Sequence, residues 1–289
     1  MSEESVMPEP PRCRAHGQPS WVLCQRCGNA VCPQCQVQAA VGVHCTTCAH
    51  AGRKRVAARF GAATGQPVVT YTLIGLCLAV FVGDKASPAV FKWLAFAPVL
   101  GSHEPHRFLT TTLLHAGIWH LAMNMLALYV TGSSLERVLG RGQFLALYLL
   151  GAVGGSVAVL WLSSPAATSW YTVTVGASGA VFALFAAVFV IQRHLGTDTA
   201  PILGLLVVNG IISVTVPGIS WQGHLGGFVT GLLLGWLTLL LRQAVARRAV
   251  ASPTTRGGQV TAKGTVTWLA PIAVAALLVV LALVRYAVA

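Results

Sequence analysis

Seven long apolar runs limit what this 289-residue chain can fold into more than any other feature of its sequence. They cover residues 68–82, 118–132, 144–162, 175–191, 202–216, 225–241 and 267–284. Hydrophobic residues make up 55% of the chain and charged residues only 9%, so a soluble fold would lack the polar residues needed to cover its surface. The runs therefore predict an all-α polytopic membrane protein with seven spans. Several runs are shorter than the roughly 20 residues of an isolated spanning helix.

The distribution of positive charge predicts the orientation of these spans. A basic linker, residues 51–66, precedes the first run, which places the N-terminus in the cytoplasm. The loops that then fall on the cytoplasmic side, 133–143, 192–201 and 242–266, all contain arginine. An odd number of spans puts the C-terminus outside. The net charge of +12 thus marks topology and contact with anionic lipid headgroups in a plasma or inner membrane, rather than binding of nucleic acid.

The outer segment from Gly83 to Gly117 does not have the composition of a solvated loop. It contains the apolar and aromatic stretch FKWLAFAPVL. We expect a structured loop that is partly embedded in the outer leaflet, and the alternative is an amphipathic surface hairpin without a function.

Residues 13–50 carry four pairs of metal-binding residue types, each pair separated by two residues. The polar, proline-rich residues 1–12 before them predict a disordered tail. Each pair can place two donor atoms on one tetrahedral ion, so the set predicts two zinc ions, with the first pair joined to the third and the second to the fourth. The pairs are Cys13 and His16, Cys24 and Cys27, Cys32 and Cys35, and Cys45 and Cys48.

Two alternatives concern this cysteine-rich segment. It could be a small domain knitted by disulfides, but the first 60 residues contain no signal-peptide apolar region, and thiols in the cytoplasm favour zinc. His44 is an alternative ligand to Cys45. We expect Trp21, Val22 and Val31 to form the small core. The order of the pairs resembles a B-box-type zinc-binding domain, although B-boxes usually close with histidines. Closed sites of this type hold structure or bind a protein partner.

Ser178 is the candidate nucleophile, at the start of the fourth run. Its small neighbours allow a second helix or a peptide to approach the hydroxyl, and they are Gly176, Ala177, Gly179 and Ala180. A serine needs a base, and His224 at the start of the sixth run is the candidate. These two runs enter the membrane from the same face, because one complete traverse separates them. Both residues should therefore lie at similar depth in the outer half.

Glycine spacing gives a reason for the fourth and sixth runs to pack closely. Glycines recur every four residues along the sixth run, at positions 223, 227, 231 and 235. We expect this stripe to pack on a small face of the fourth run, formed by Gly176, Gly179 and Ala180. The alternative is that GASG is only a packing patch and His224 only an interhelical hydrogen-bonding residue.

Other polar residues near the outer ends of the runs complete the candidate site. His120 and Asn124 lie one helical turn apart in the second run, close to His115, and can donate hydrogen bonds to an oxyanion together with the Ser178 backbone N–H. Alternatively, they tether the neighbouring loop. Phe182, one turn after Ser178, can hold the imidazole by stacking. No carboxylate or lysine lies inside a run, so a Ser-His dyad is expected.

The chain resembles the rhomboid intramembrane serine proteases over residues 67–242. The matching features, in their expected order, are His115, His120 and Asn124, then LERVLG with Glu136 and Arg137, GASG with Ser178, and GHLGGFVTG with His224. A departure from the family pattern is that His106, rather than tryptophan, precedes Arg107 in the outer loop.

The resemblance implies a six-helix protease core with a water-filled cavity open to the outside. Ser178 is then the nucleophile, His224 the base, and the oxyanion site includes His120, Asn124 and the Ser178 amide. Substrates are single-pass membrane proteins, no catalytic cofactor is needed, and the fifth span is the mobile side through which a substrate enters. The core is followed by a cytoplasmic loop, 243–266, and by a seventh helix, 267–289.

Three other functions compete with proteolysis. A proteolytically inactive relative of the same fold could bind or escort transmembrane clients, although this chain keeps both Ser178 and His224. A transporter would need an acid or a lysine within the membrane for ion coupling. A zinc-dependent enzyme would need an open metal site rather than closed four-ligand sites.

Overall fold

The computed structural model of this protein describes residues 9–39, 42–51, 65–251 and 266–289. Most of three predicted segments lies outside these residues: the polar tail (1–12), the basic linker (51–66) and the loop before the seventh run (243–266). Within the described residues the protein is an all-α polytopic membrane protein preceded by a small domain with one short hairpin.

Each of the seven apolar runs coincides with a helix. The corresponding helices are α1 (Val68–Ala86), α5 (Ile118–Ala127), α7 (Arg141–Leu162), α8 (Ser178–Leu195), α9 (Ala200–Thr215), α10 (Trp221–Ala251) and α11 (Leu269–Ala287). A π-helical turn, Leu128–Gly132, continues α5 into α6 (Ser133–Leu139), so the second span runs to Leu139. The sequence predicted these elements well because long uninterrupted apolar runs have few other stable forms in lipid.

Five of these helices are long and apolar enough to cross a membrane by themselves: α1, α7, α8, α10 and α11. The second span qualifies only when Ile118–Leu139 is taken together with Arg107–Leu113, and these two segments meet at an angle of 98°. Helix α9 has 16 residues and is shorter than a usual span. The number of spans in the part of the chain that is described is therefore five or six by length, with α9 as an additional short apolar helix.

Helix α8 lies at the centre of the bundle and packs between α7 and α10. Gly227 and Gly231 of α10 lie against the backbone carbonyls of Gly179 and Ala183 of α8, where a Cβ atom would have no room. Gly155 of α7 joins the same contact, since a Cβ there would lie 2.9 Å from the carbonyl oxygen of Gly223. Close glycine contacts thus bring the start of α8 next to the start of α10.

The predicted glycine stripe is present, but the face of α8 that it meets differs from the prediction. Gly179 lies in this contact as expected, and Ala183 takes the place predicted for Ala180. Ala180 instead packs against Gly151 of α7, and Gly176 lies in the loop before α8, next to His120. The reason is helix rotation: residues four apart, such as Gly179 and Ala183, share a face, whereas Ala180 is turned away from it.

Glu136 of α6 anchors the first turn of α1. Its two carboxylate oxygens accept hydrogen bonds from the backbone N–H groups of Val69 and Thr70, at 3.0 and 2.8 Å, and from the Thr70 hydroxyl at 2.8 Å. These N–H groups belong to the first turn of α1 and have no partner within the helix. A buried carboxylate at this position is favourable because it satisfies the donors and faces the positive end of the helix dipole.

The outer segment is structured, as predicted. It contains the short helices α2 (Pro88–Leu94), α3 (Pro98–Gly101) and α4 (Arg107–Thr110), followed by a 3-10 turn, Thr111–Leu113. Arg107 is buried and holds the segment together, because its guanidinium donates to Glu104 Oε2 at 2.6 and 2.8 Å and to the Ala95 carbonyl at 2.7 Å. His106, the departure noted above, bonds the Trp93 carbonyl through Nε2 at 3.0 Å.

Helix α11 packs on α7 and reaches the outer segment with its last turn. The Tyr286 hydroxyl donates to the Pro98 carbonyl at 2.7 Å, and Arg285 donates to the Ser163 carbonyl at 2.8 Å. The guanidinium of Arg285 also lies 5.2 Å from the ring centroid of Trp170. Helix α11 is therefore bound to the segments that contain Pro98 and Ser163 as well as to α7.

The N-terminal domain contains an antiparallel hairpin, β1 (Gln36–Gln38) and β2 (Val43–Cys45). Val31 is fully buried, as predicted, and packs among cysteines. The prediction that Trp21 and Val22 also form the core is wrong, since these side chains are 63% and 42% exposed. The centre of this small domain is filled mainly by cysteine side chains, so little room remains there for large apolar side chains.

Candidate active site and metal centres

The loop before α8 is held by the outer segment. Thr174 donates its backbone N–H to the Phe96 carbonyl at 2.8 Å, and its own carbonyl accepts from the Thr111 hydroxyl at 2.5 Å. The backbone N–H of Gly176 donates to the Thr111 carbonyl at 3.1 Å. These hydrogen bonds fix the position of the loop that precedes Ser178.

Ser178 is the first residue of α8, after Ala177 as N-cap. Its backbone N–H is one of the first-turn donors that have no acceptor within the helix, and these donors lie at the positive end of the helix dipole. Its side chain is half-buried. A hydroxyl and a free backbone donor thus occur at the same residue, which is what attack on a carbonyl requires.

Gly176 brings Ser178 and His120 together. Its φ of +131° is a conformation that favours glycine. A Cβ atom on this residue would lie 2.8 Å from His120 Nε2 and 3.7 Å from Ser178 Oγ. The imidazole and the hydroxyl therefore both lie beside the Cα of Gly176, and no larger residue fits between them.

The hydrogen bonds of His120 and Asn124 determine which of their atoms can serve as donors. His120 Nδ1 accepts the backbone N–H of Ala116 at 3.4 Å, so the proton of a neutral ring lies on Nε2, the nitrogen nearest Gly176. Asn124 is buried and donates one Nδ2 hydrogen to the His120 carbonyl at 2.8 Å, which leaves its second hydrogen for another acceptor. His115 is buried and packs edge-on against His120, with ring centroids 5.2 Å apart.

His224 lies in the first turn of α10, and its imidazole stacks on the ring of Phe182. The two centroids are 4.3 Å apart and the ring planes differ by 15°. The stacking expected from the one-turn spacing between Ser178 and Phe182 is therefore present. Since Phe182 and Ser178 are on the same helix, this stack places the imidazole over the first turn of α8.

The hydrogen bonds of the described residues do not include a direct bond between Ser178 Oγ and His224. What the structure brings together is the first turns of α8 and α10, through Gly179, Gly223 and the aromatic stack. In proteases without a bound substrate, such a bond is often long and tightens only in the reacting complex.

Sequence reasoning missed one residue that contacts the candidate base. Ser213 Oγ on α9 lies 2.5 Å from His224 Nδ1. Ser213 is a buried polar residue, and its neighbours in the sequence are isoleucine and valine. The available signal was the i, i+4 pair of Asn209 and Ser213, two polar residues on one face of an otherwise apolar helix.

The cysteine-rich domain forms two four-residue groups, in the interleaved order predicted from the sequence. Within each group, the potential ligand atoms all lie within 4.8 Å of one another. One group contains Cys13, His16, Cys32 and Cys35, and the other contains Cys24, Cys27, Cys45 and Cys48. The second group contains Cys45 rather than His44, whose backbone instead pairs with Val37 in the hairpin.

The distances within these groups fit a tetrahedral ion of the size of zinc. Zn–S bonds of about 2.3 Å separate two sulfurs by roughly 3.8 Å at the tetrahedral angle. The Sγ atoms of Cys27 and Cys45 are 3.8 Å apart, and His16 Nδ1 lies 3.3 Å from the Sγ atoms of both Cys32 and Cys35. All eight cysteines are free thiols. The donor set can therefore hold two metal ions, as the interleaved spacing predicts.

The electrostatics of the thiols also fit a cation. The backbone N–H groups of Cys32 and Ala15 are the main causes that lower the pKa of Cys13 to about 6. Burial and the neighbouring thiols raise the pKa of Cys35 to about 11 and that of Cys48 to about 12. In the second group, burial opposes ionisation, but backbone N–H groups of Cys45 and Arg26 lower the pKa of Cys24 to about 6. Each group thus contains one thiol that ionises easily and another that releases its proton only when a positive charge is nearby.

Comparisons with known proteins match the region of the chain that contains Ser178 and His224. A model of the rhomboid domain matches residues 102–241. The chain is 32% identical to "Rhomboid protease GluP" of Bacillus subtilis over 62% of this chain and 36% of that protein. It is 33% identical to "Putative rhomboid protease YdcA" of the same organism over 59% of this chain and 88% of that protein. It is 35% identical to "RHOMBOID-like protein 4" of Arabidopsis thaliana over 49% of this chain and 36% of that protein. The chain thus spans about a third of the length of the first and third of these relatives and most of the second.

Proposed function

Because this chain belongs to the rhomboid family, whose members here include proteins named as proteases, we propose that it is an intramembrane serine endopeptidase that uses Ser178 and His224 as a dyad. The observation that carries the proposal is the stack of His224 on Phe182. This contact holds an imidazole over the helix turn that begins with Ser178.

The proposed reaction starts with proton transfer from Ser178 Oγ to His224 Nε2. The oxygen attacks the carbonyl carbon of a substrate peptide bond, and the imidazolium then gives its proton to the leaving amine. A water molecule hydrolyses the acyl-enzyme in the second half of the reaction, again with His224 as base. Both steps need only the dyad, the oxyanion donors and water.

The negative charge that develops on the substrate oxygen has three candidate donors. The Ser178 backbone N–H is unpaired within its helix, His120 carries its proton on Nε2 beside Gly176, and Asn124 keeps one free Nδ2 hydrogen. Donors fixed before the reaction stabilise this charge without reorganisation, and one such donor typically contributes about 10²- to 10³-fold to kcat. We assign His115 to the support of His120, because the two rings are in edge-on contact.

The proposed substrates are single-pass transmembrane proteins, cleaved at or near the outer end of the spanning helix. A helix must unwind before its peptide bonds can reach a serine, so small or helix-breaking residues are expected at the cleaved site. Polar residues near the dyad allow water into a cavity open to the outer face. In this orientation the N-terminus is cytoplasmic, the C-terminus lies outside, and the protein spans the plasma or inner membrane.

For the N-terminal domain, residues 13–50, we propose two structural zinc ions. Zinc would be held by the two groups of thiols and imidazole described above and would stabilise a fold whose apolar core is small. Four protein ligands to each ion leave no position for a reacting water, so the domain supports structure or binds a protein partner. The protease core is assigned to residues 67–242, followed by a loop, 243–266, and the seventh helix, 267–289.

The proposed function is tested with purified full-length protein in liposomes and a model single-pass substrate with a labelled outer end. We expect the wild type to cleave the substrate, and Ser178→Ala and His224→Ala to lose cleavage while retaining the wild-type melting temperature. Thr215→Val, which removes a hydroxyl from the exposed face of α9, is the matched control and should cleave normally.

Two results would contradict the proposal. Cleavage that persists in Ser178→Ala would eliminate the nucleophile. Binding of the substrate without cleavage by the wild type would instead support a protein that escorts transmembrane clients.

A further inference from the structure

Ser213 is an unusual residue in α9. Only Ser213 and Ile202 of this helix are buried, whereas most of its other large side chains are exposed, for example Val207, Ile211 and Val214. A serine hydroxyl in an apolar helix usually bonds only the carbonyl one turn earlier. Ser213 makes this bond, and it also contacts the candidate base on a different helix.

Counting protons gives the direction of both hydrogen bonds of Ser213. Its Oγ lies 2.5 Å from the Asn209 carbonyl oxygen and 2.5 Å from His224 Nδ1. A carbonyl oxygen can only accept, so the single hydroxyl proton goes to Asn209. The lone pairs of Oγ must then accept from His224, which requires the proton on Nδ1. A neutral imidazole has one N–H group, so Nε2 is left with a free lone pair.

We propose that Ser213 is a positioning residue that fixes the tautomer and the orientation of His224, so that Nε2 is the nitrogen that takes the proton from Ser178. This inference rests on the proposed function, because it assigns a partner to the base of that dyad. The bond also persists during the reaction: after Nε2 accepts its proton, Nδ1–H still donates to Ser213, and the Ser213 proton still goes to Asn209.

The arrangement replaces the carboxylate that holds the histidine in a triad. The carboxylates among the described residues, Glu9, Asp84, Glu104, Glu136 and Asp198, all lie outside the apolar runs. A hydroxyl is a weaker acceptor than a carboxylate, so its removal should cost less than removal of a triad acid. Because Ser213 is on α9 and His224 on α10, any movement that separates these helices also breaks the bond.

The kinetic test compares full-length wild type, Ser213→Ala, Ser213→Thr and Thr215→Val in liposomes. Thr215→Val is a matched control, because Thr215 is two residues away on α9 and makes the same backbone bond, to Ile211, without touching His224. Ser213→Ala should lower kcat about 10- to 100-fold and leave KM within about twofold, since it alters proton transfer rather than substrate binding. Ser213→Thr should recover most of kcat because it restores the hydroxyl.

A spectroscopic test reads the tautomer directly. In protein labelled with ¹⁵N-histidine, the His224 signals are identified by their loss in His224→Ala. We expect the wild type and Ser213→Thr to show a protonated Nδ1 and a bare Nε2, and Ser213→Ala to shift toward the opposite tautomer. If Ser213→Ala does not fold, as judged by its melting temperature, Ser213→Cys replaces it, because a thiol is a poor acceptor.

The outcomes separate this inference from the proposed function. If the wild type cleaves, Ser178→Ala does not, and Ser213→Ala has the wild-type kcat and tautomer, then the role of Ser213 is refuted and the dyad stands. If the wild type and Ser178→Ala are equally inactive, the proposed function fails, and with it the catalytic role of Ser213. The measurement then still decides whether Ser213 determines the tautomer of the His224 imidazole.

Discussion

Phe182 and His224 form a stacked pair, with ring centroids 4.3 Å apart and ring planes 15° from parallel. The pair joins α8, which begins at Ser178, to the first turn of α10. It also constrains rotation of the imidazole, because one face of the ring is covered by Phe182 and one edge is bonded to Ser213. The orientation of the candidate base therefore depends on two contacts from two different helices.

Replacement of Phe182 tests the first of these contacts. Phe182→Leu should lower kcat about 10-fold, because a stacked aromatic pair contributes about 0.5–1.5 kcal/mol beyond its buried area. Phe182→Tyr keeps the ring and should stay close to the wild type. The control is Phe185→Leu, which removes a ring that packs on Phe182. Equal losses in both leucine variants would show that general packing, and not the stack on His224, is responsible.

Gly227 tests the close approach of α8 and α10. A Cβ atom on Gly227 would overlap the backbone carbonyl of Gly179, which is not able to move like a flexible side chain. Gly227→Ala should therefore destabilise the protein by about 1–3 kcal/mol or more, a fall of about 3–10 °C in melting temperature. Gly210→Ala on α9, where the added methyl meets open space, should be neutral or stabilising. Thermal unfolding in detergent distinguishes the two variants.

Gly176 tests the contact between the loop before α8 and His120. Gly176→Ala combines an unfavourable φ of +131° with a methyl group 2.7 Å from His120 Cε1, so the imidazole must shift. We expect a loss of at least about 100-fold in kcat/KM, since a displacement of about 1 Å in a site can have this effect. Gly196→Ala also places alanine at a positive φ, of +63°, but in open space after the end of α8. It should lower stability and leave kcat/KM near the wild-type value.

Metal analysis tests the N-terminal domain. We expect about two zinc ions per chain, and about one in Cys32→Ser, because the two four-residue groups share no residue and each would hold its own ion. Cys77→Ser, which changes the cysteine buried in α1, should retain both ions. Zinc must displace protons from thiols such as Cys35 and Cys48, whose pKa values are raised to about 11 and 12, so acidification should release the metal. Retention of two ions by Cys32→Ser would contradict the assignment.

The sequence predicted the elements of this fold better than their rotation. Long apolar runs identify helices, and the interleaved cysteine pairs identify two groups of potential metal ligands, because both patterns are local. Which face of α8 meets α10 depends on how α8 is rotated about its own axis, and an apolar run does not give that rotation. The prediction therefore assigned Ala180 to a contact that Ala183 makes.

Ser213 and Trp21 show why the remaining features could not be predicted. Apart from Asn209, Ser213 and Thr215 near its end, helix α9 is apolar all round, so its apolar pattern gives no information on which face is inside, and Ser213 taken singly resembles a tolerated packing residue. Trp21 was predicted to be buried because large apolar residues usually are. In a small domain whose centre is formed by cysteine and histidine side chains, the rule does not hold.

The contacts at the end of α11 have a consequence for the synthesis of this protein. The bond from Tyr286 to Pro98 joins residues that are 188 positions apart in the chain. Helix α11 leaves the ribosome after all other described elements of the bundle, so the outer segment can be clamped only when nearly the whole of this sequence has been translated. Chains translated only as far as α10 would therefore carry Ser178 and His224 in a bundle that still lacks the bond to Pro98.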